Sequence, residues 1–98
     1  MNIVGRNVRV GHLEIDLVAR ESDAMVVVEV RTRGPGAWLG ALHSVGFDKR
    51  ERIRRAATIL WLRRWTHLRG VKRVRFDAAA VDLSDGGAPR VLYVRAAF

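Results

Sequence analysis

Between Gly11 and Arg33 two apolar-rich runs, GHLEIDLVAR and AMVVVEVRTR, flank the short polar break ESD. Runs of this kind around a polar break predict a β-hairpin. Strict alternation puts Leu13, Ile15, Leu17 and Ala19 on one face and Glu14, Asp16, Val18 and Arg20 on the other. In the second run Val26, Val28 and Val30 oppose Val27, Glu29 and Arg31. With an even loop around Ser22-Asp23, Asp16 falls opposite Glu29, Glu14 opposite Arg31, and Val18 opposite Val27. Two carboxylates directly across a ladder repel and weaken the sheet. Stability alone would not put them there. A divalent cation, or a nearby lysine or arginine, turns that repulsion into a binding site. The inference depends on register, because a one-residue slip sends the two acids to opposite faces.

Around this hairpin the pattern predicts three antiparallel strands, a helix and two more strands. Met1 to Val10 alternates loosely and reads as a first strand, with Gly5 as a bulge and Gly11-His12 as the turn into the second. The third strand ends near Thr32. Gly34 to Gly46 holds four glycines and one proline and reads as a loop, in which Trp38 is expected to cap the core. Asp48 to Arg69 is the long helix. Asp48 and Glu51 have capping-box spacing, and Ile53, Ala56, Ala57, Leu60, Arg64 and Leu68 recur at helical intervals, widened by Trp61 and Trp65. Gly70 supplies a left-handed stop. Val71 to Leu83 is a fourth strand, Ser84 to Pro89 a turn, and Arg90 to Arg95 a fifth strand. Strand, helix, strand implies a crossover with the third and fourth strands parallel. The expectation is an α/β fold in one domain, 1–98: a mixed sheet of about five strands with one long helix packed on it.

Composition narrows the chemistry. There is no cysteine, which excludes disulfides, thiolate zinc sites and a cysteine nucleophile, and fits a reducing cytoplasm. No run has the length of a membrane span and the N-terminus shows no signal-peptide pattern, so the expected location is cytoplasmic. The formal net charge of +8, mostly arginine, favours a polyanionic partner. Lys49, Arg50, Arg52, Arg54 and Arg55 crowd the first turns of the helix with nearly one sign of charge, so pairing along the helix cannot neutralise them. They are the candidate nucleic-acid contacts. His12, His43 and His67 lie on separate elements without zinc spacing. Asp77 is expected to pair structurally with a basic residue, while Asp82 and Asp85 read as turn acids.

The ordered segments resemble a known family. The pattern G-x-[LI]-E-[IL]-D-[LI]-[IV]-A followed by V-x-V-E-V-[KR]-T-R is similar to that of the YraN-type family of endonuclease-like proteins. Asn7 and Arg9 resemble the N-x-R of its first strand, and Asp48-Lys49-Arg50 leading into Ile53-Arg54-Arg55-Ala56-Ala57 its basic helix. Arg75-Phe76-Asp77 resembles its RFD strand, and Val94 to Phe98 its C-terminal end. The family is similar to the PD-(D/E)xK nuclease superfamily and to Holliday-junction resolvases. The resemblance implies a restriction-endonuclease-like core and Mg²⁺ (or Mn²⁺) dependence. It puts Asp16 and Glu29 at the superfamily's carboxylate positions and Arg31 where its lysine stands. There are two departures. Arginine stays charged and cannot act through proton loss as lysine can, which lowers the expectation of catalysis. The family also begins with a helix carrying a glutamate, and that first family helix is missing ahead of the first strand here. Its absence would uncover one sheet face and favour a homodimer.

The expected chemistry is phosphodiester hydrolysis in DNA, branched or single-stranded, or in RNA, with DNA favoured. The catalytic candidates are Asp16, Glu29 and Arg31; the metal ligands are Asp16, Glu29 and the carbonyl of Val30. Lys49 is a candidate to supply some of the missing lysine function, and Glu14 is expected to pair with Arg31. The alternative is a non-catalytic nucleic-acid-binding domain on the same fold. A third reading, a structural protein with incidental charge, needs no metal.

Overall fold

The computed structural model describes residues 1–33, 47–82 and 88–98. The expectations for the 34–46 loop, including Trp38 and His43, and for Asp85 fall outside these residues. Strands β1 (Asn2–Val10), β2 (Leu13–Glu21) and β3 (Ala24–Arg33) form the meander. Helix α1 (Phe47–Arg63) precedes β4 (Arg73–Asp82) and β5 (Arg90–Val94). Sheet order follows chain order, β1-β2-β3-β4-β5. All neighbours are antiparallel except β3 and β4, which run parallel with Glu29 beside Ala78 and Arg31 beside Ala80. The expected α/β fold, a five-stranded mixed sheet carrying one helix, is the fold observed. No helix among the described residues is long and apolar enough to cross a membrane.

Turn chemistry fixes the hairpin. Ser22 adopts φ 56° and closes β2 onto β3 with Glu21 paired to Ala24, so Val18 meets Val27 as expected. At Gly5 the register shifts, which is the anticipated bulge, and Gly11 turns at φ 63°.

One face of the sheet packs on α1. Met25 and Val27 of β3 meet Ile53, Ala56, Ala57 and Leu60 of the helix, with Leu13, Ile15 and Val18 of β2. Each large aliphatic side chain buried there stabilises by about 1.5–3 kcal/mol. The helix is shorter than expected. At Arg64 the backbone leaves helical geometry (φ −131°, ψ −57°), and Trp65–His67 form a 3₁₀ turn. That step drives the Trp65 ring into the core, 5% exposed, and leaves Leu68 outside at 41%. Gly70, at φ 79°, makes the left-handed stop one turn later. The helix includes Asp48 in its first turn, where its charge suits the dipole, and Glu51 pairs with Arg54 at 3.0 Å.

The second face is built of small residues, Ala19, Ala24, Val26, Val28 and Ala79. Its centre is not bare. By strand alternation Glu21, Arg75, Asp77 and Tyr93 project onto it. Arg75 reaches across β3 to Glu21 at 3.1 Å, and Arg95 reaches the same carboxylate from beyond β5. Met1, Ile3 and Val91 are exposed apolar residues.

Candidate functional site

The site forms where β2 and β3 part. The paired residues run from Glu21–Ala24 to Leu17–Val28, and the ladder goes no further. One step further the register would pair Asp16 with Glu29. Instead the Val30 N–H donates to Asp16 Oδ2 at 3.0 Å, so a side-chain oxygen takes the place of the missing ladder acceptor. A break in β2 sets this up. Ile15 and Val18 both enter the helix-side core, while Leu17 and Ala19 lie on the other face. Strict alternation cannot do that, so the expected face assignment for Leu13 and Ile15 is corrected: the strand switches face at Asp16. Across from Asp16 in the β1 register stands Asn7, at φ 49°. Asparagine tolerates this left-handed backbone better than other non-glycine residues. Irregularities of this type re-aim a side chain, here that of Asp16.

Glu29 follows Met25 and Val27 on the helix side of β3 and is only 3% exposed. Its β4 neighbour is Ala78, and Ala80 flanks Arg31, so methyl groups leave room for both polar side chains. From the first turn of α1, Lys49 brings its Nζ to 2.5 Å from Glu29 Oε1; Arg31 Nε lies 3.6 Å from the same oxygen. Glu29 Oε1 and Arg31 Nε are both buried without a hydrogen-bond partner among the described residues. Burial pushes the Glu29 carboxyl above its ordinary value of 4.5. Lys49 pulls it back, and the charge of nearby Asp16 pushes it up again. The two acids are therefore close enough to repel.

The structure thus brings together Asp16, Glu29, Arg31, the Val30 backbone and Lys49. Glu14 is not with them. It pairs with Arg9 at 3.6 Å, which corrects the expected Glu14–Arg31 contact. Along the basic stretch, Arg54 is held by Glu51, while Arg52 and Arg55 are exposed. Asp82 is not a turn acid: it is 5% exposed at the end of β4 and pairs with Arg90 at 3.5 Å. Asp77 has the expected structural partner, Arg75. Asn7 was not singled out for this geometry by its residue type; an asparagine between β-formers, across from an acid, was the available signal.

The donor set can be tested against a metal. Among the described residues no three His, Cys, Asp or Glu side chains gather as a metal cluster. Magnesium needs fewer, since it keeps several waters and binds through one or two carboxylates. Two converging hard-oxygen donors, one with an unsatisfied buried oxygen, fit such an ion. They offer no histidine nitrogen or thiolate sulfur of the kind that dominates zinc sites.

Comparison with known proteins gives the family. The model of the family described as Uncharacterised protein family UPF0102 matches residues 1–81. A UPF0102 protein of Sorangium cellulosum, sce2912, is 48% identical over 98 residues, covering 100% of this chain and 68% of the relative. One from Rhodococcus opacus is 41% identical over 98 residues, covering 100% of this chain and 80% of its own. One from Pseudomonas aeruginosa is 41% identical over 98 residues, covering 97% and 75%. The chain belongs to the UPF0102 family, the YraN-like proteins of the PD-(D/E)xK-like nuclease superfamily.

Proposed function

We propose that this chain is a metal-dependent endonuclease-like domain that binds nucleic acid, DNA in preference to RNA, and hydrolyses its phosphodiester bonds. The observation that carries the reading is the buried Glu29 carboxylate. It lies beside a second acid and has two cations close at hand. Asp16, Glu29 and the Val30 carbonyl would hold Mg²⁺ or Mn²⁺. Such an ion supplies a water of lowered pKa and polarises the phosphoryl oxygen. Arg31 is placed to stabilise negative charge gathering on the phosphate. Lys49, at Glu29 Oε1, occupies the place from which an ammonium can orient a water or hold the phosphate once the carboxylate turns to a metal. Asp16 is kept in position by the Val30 N–H. The basic first turns of α1, with Lys49, Arg50, Arg52, Arg54 and Arg55, draw in the polyanion.

The test is cleavage of labelled branched, single-stranded and linear DNA in Mg²⁺ or Mn²⁺, wild type against Asp16→Ala. Cleavage by the wild type that the variant loses supports the reading; equal activity in both ends it. A second reading, binding without hydrolysis, is favoured by the same two cations, which already neutralise Glu29. Salt-dependent binding that survives Glu29→Ala, with no turnover by the wild type, would select it.

A further inference from the structure

We infer that the cleft next to the carboxylate pair is a second phosphate subsite, which takes a non-scissile backbone phosphate of the bound strand. The inference rests on the nucleic-acid reading above. The cleft has a volume of about 130 Å³ and is lined by His12, Leu13, Glu14, Lys49, Arg52 and Ile53. His12 comes from the β1–β2 turn, and Lys49 and Arg52 from the first turns of α1, so two sequence-distant segments converge on it.

The chemistry of the lining selects an anion. Lys49 and Arg52 are cationic, and they stand at the end of a 17-residue helix where backbone N–H groups and the dipole favour negative charge. Arg52 and His12 make no hydrogen bond or ion pair among the described residues. Arg9, Arg54, Arg73, Arg75, Arg90 and Arg95 are each engaged with a carboxylate. The single acid in the lining, Glu14, is offset by Arg9. Leu13 and Ile53, 7% and 4% exposed, make an apolar wall that strengthens any charge contact beside it. Lys49 joins the two compartments, because the same side chain lines the cleft and touches Glu29. A strand with one phosphate at the carboxylates would lay another against Arg52 and His12. The cleft thereby fixes where along the strand the scissile bond falls.

Salt titrations of binding test this, using fluorescence anisotropy of labelled single-stranded and branched DNA with wild type, Arg52→Gln, His12→Gln and Arg73→Gln. Arg73 sits at the far end of β4 and controls for loss of one charge. Arg52→Gln is expected to weaken binding several-fold at low salt for every sequence and to lower the log–log salt slope by about one. His12→Gln should weaken binding less, and Arg73→Gln hardly at all. Melting temperatures equal to wild type would show that folding is intact, since both cleft residues are exposed. If the wild type binds but Arg52→Gln matches it, or matches Arg73→Gln, the subsite is overturned and the nuclease-like reading stands. If the wild type fails to bind any of these strands at low salt, both fall.

Discussion

Glu29 and Asp77 lie on adjacent strands, one register step apart, and both are buried, yet they occupy opposite faces and opposite chemical situations. Around Asp77 every direction is filled. Its Oδ1 accepts from Arg75 Nε at 2.9 Å and from the Ala96 N–H at 2.9 Å. Its Oδ2 accepts from Arg75 Nη2 at 3.0 Å and from the Tyr93 hydroxyl. Burial pushes this carboxyl up, but Arg75, Tyr93 and the Ala96 N–H together hold it below its ordinary value of 3.8. Around Glu29 burial and the charge of Asp16 outweigh the pull of Lys49, so the carboxyl rises. Burial raises both carboxyls, and only at Asp77 do oriented donors outweigh it. A saturated carboxylate holds strands together. An unsaturated one keeps capacity to bind, and perturbed groups of that kind gather at functional sites.

The comparison breaks most readily at stability. Asp77→Ala leaves the Arg75 guanidinium, 12% exposed, without its main partner. Removing one member of a buried pair costs about 3–5 kcal/mol. Glu29→Gln removes a desolvated charge and frees Lys49, 36% exposed, to extend into water. Its stability in metal-free buffer should fall by less than that of Asp77→Ala, because Arg31, 20% exposed, keeps more access to water than Arg75. Urea denaturation measures both. If Glu29→Gln loses as much as Asp77→Ala, Glu29 is a second structural anchor and the contrast disappears.

Metal sharpens the same contrast. An ion that binds only the folded chain at a hundred times its dissociation constant adds about 2.7 kcal/mol. Mg²⁺ or Mn²⁺ should therefore raise the melting temperature of the wild type. The rise should vanish in Glu29→Gln and in Asp16→Asn and persist in Tyr93→Phe, whose change lies on the other face. A rise of equal size in all four proteins would place the ion elsewhere.

A smaller effect is expected from pH. Asp77 has a folded value below its unfolded one, so its contribution is complete above about pH 4 and is lost as pH falls through the depressed value. Tyr93 behaves in the opposite sense. Burial and the Asp77 hydrogen bond push its hydroxyl up to about 12 from 10.0. Its contribution is complete below pH 10.0 and is lost as pH rises towards about 12. Melting followed from pH 9 upward, wild type against Tyr93→Phe, should show an alkaline decline in the first that the second lacks.

Much of this molecule is legible in its sequence because local rules fix it. The Ser22-Asp23 turn sets an even loop, the loop sets the register, and the register brings Asp16 towards Glu29. The β4 alanines beside Glu29 and Arg31 are consistent with a site that needs space. What alternation could not show is the change of face at Asp16. Leu17 and Val18 are both apolar, so either phase reads as a strand, and the choice is made by the backbone of Asn7 on the neighbouring strand. Helix periodicity failed at Arg64 for a similar reason: burial of the Trp65 ring outweighs continuation of the helix. The arrival of Lys49 at Glu29, and of Tyr93 and Ala96 at Asp77, depends on chain paths that no short window contains.

The smallest expected effect tests the boundary of the site. Glu14 has the sequence position of a third acid, two residues before Asp16, but its side chain is 41% exposed and its partner Arg9 is 75% exposed. An exposed pair of this kind contributes about 0–1 kcal/mol, reduced further by salt. Glu14→Gln should therefore change urea stability by less than about 0.5 kcal/mol. It should leave the metal-induced rise in melting temperature intact, because Glu14 does not share the Asp16–Glu29 pocket. Removing the one acid from the cleft of His12 and Arg52 should tighten DNA binding slightly at low salt. Loss of the metal response in Glu14→Gln would make Glu14 a ligand. The ion would then sit at the mouth of the cleft and exclude a phosphate there, so that one result would move the metal and remove the subsite together.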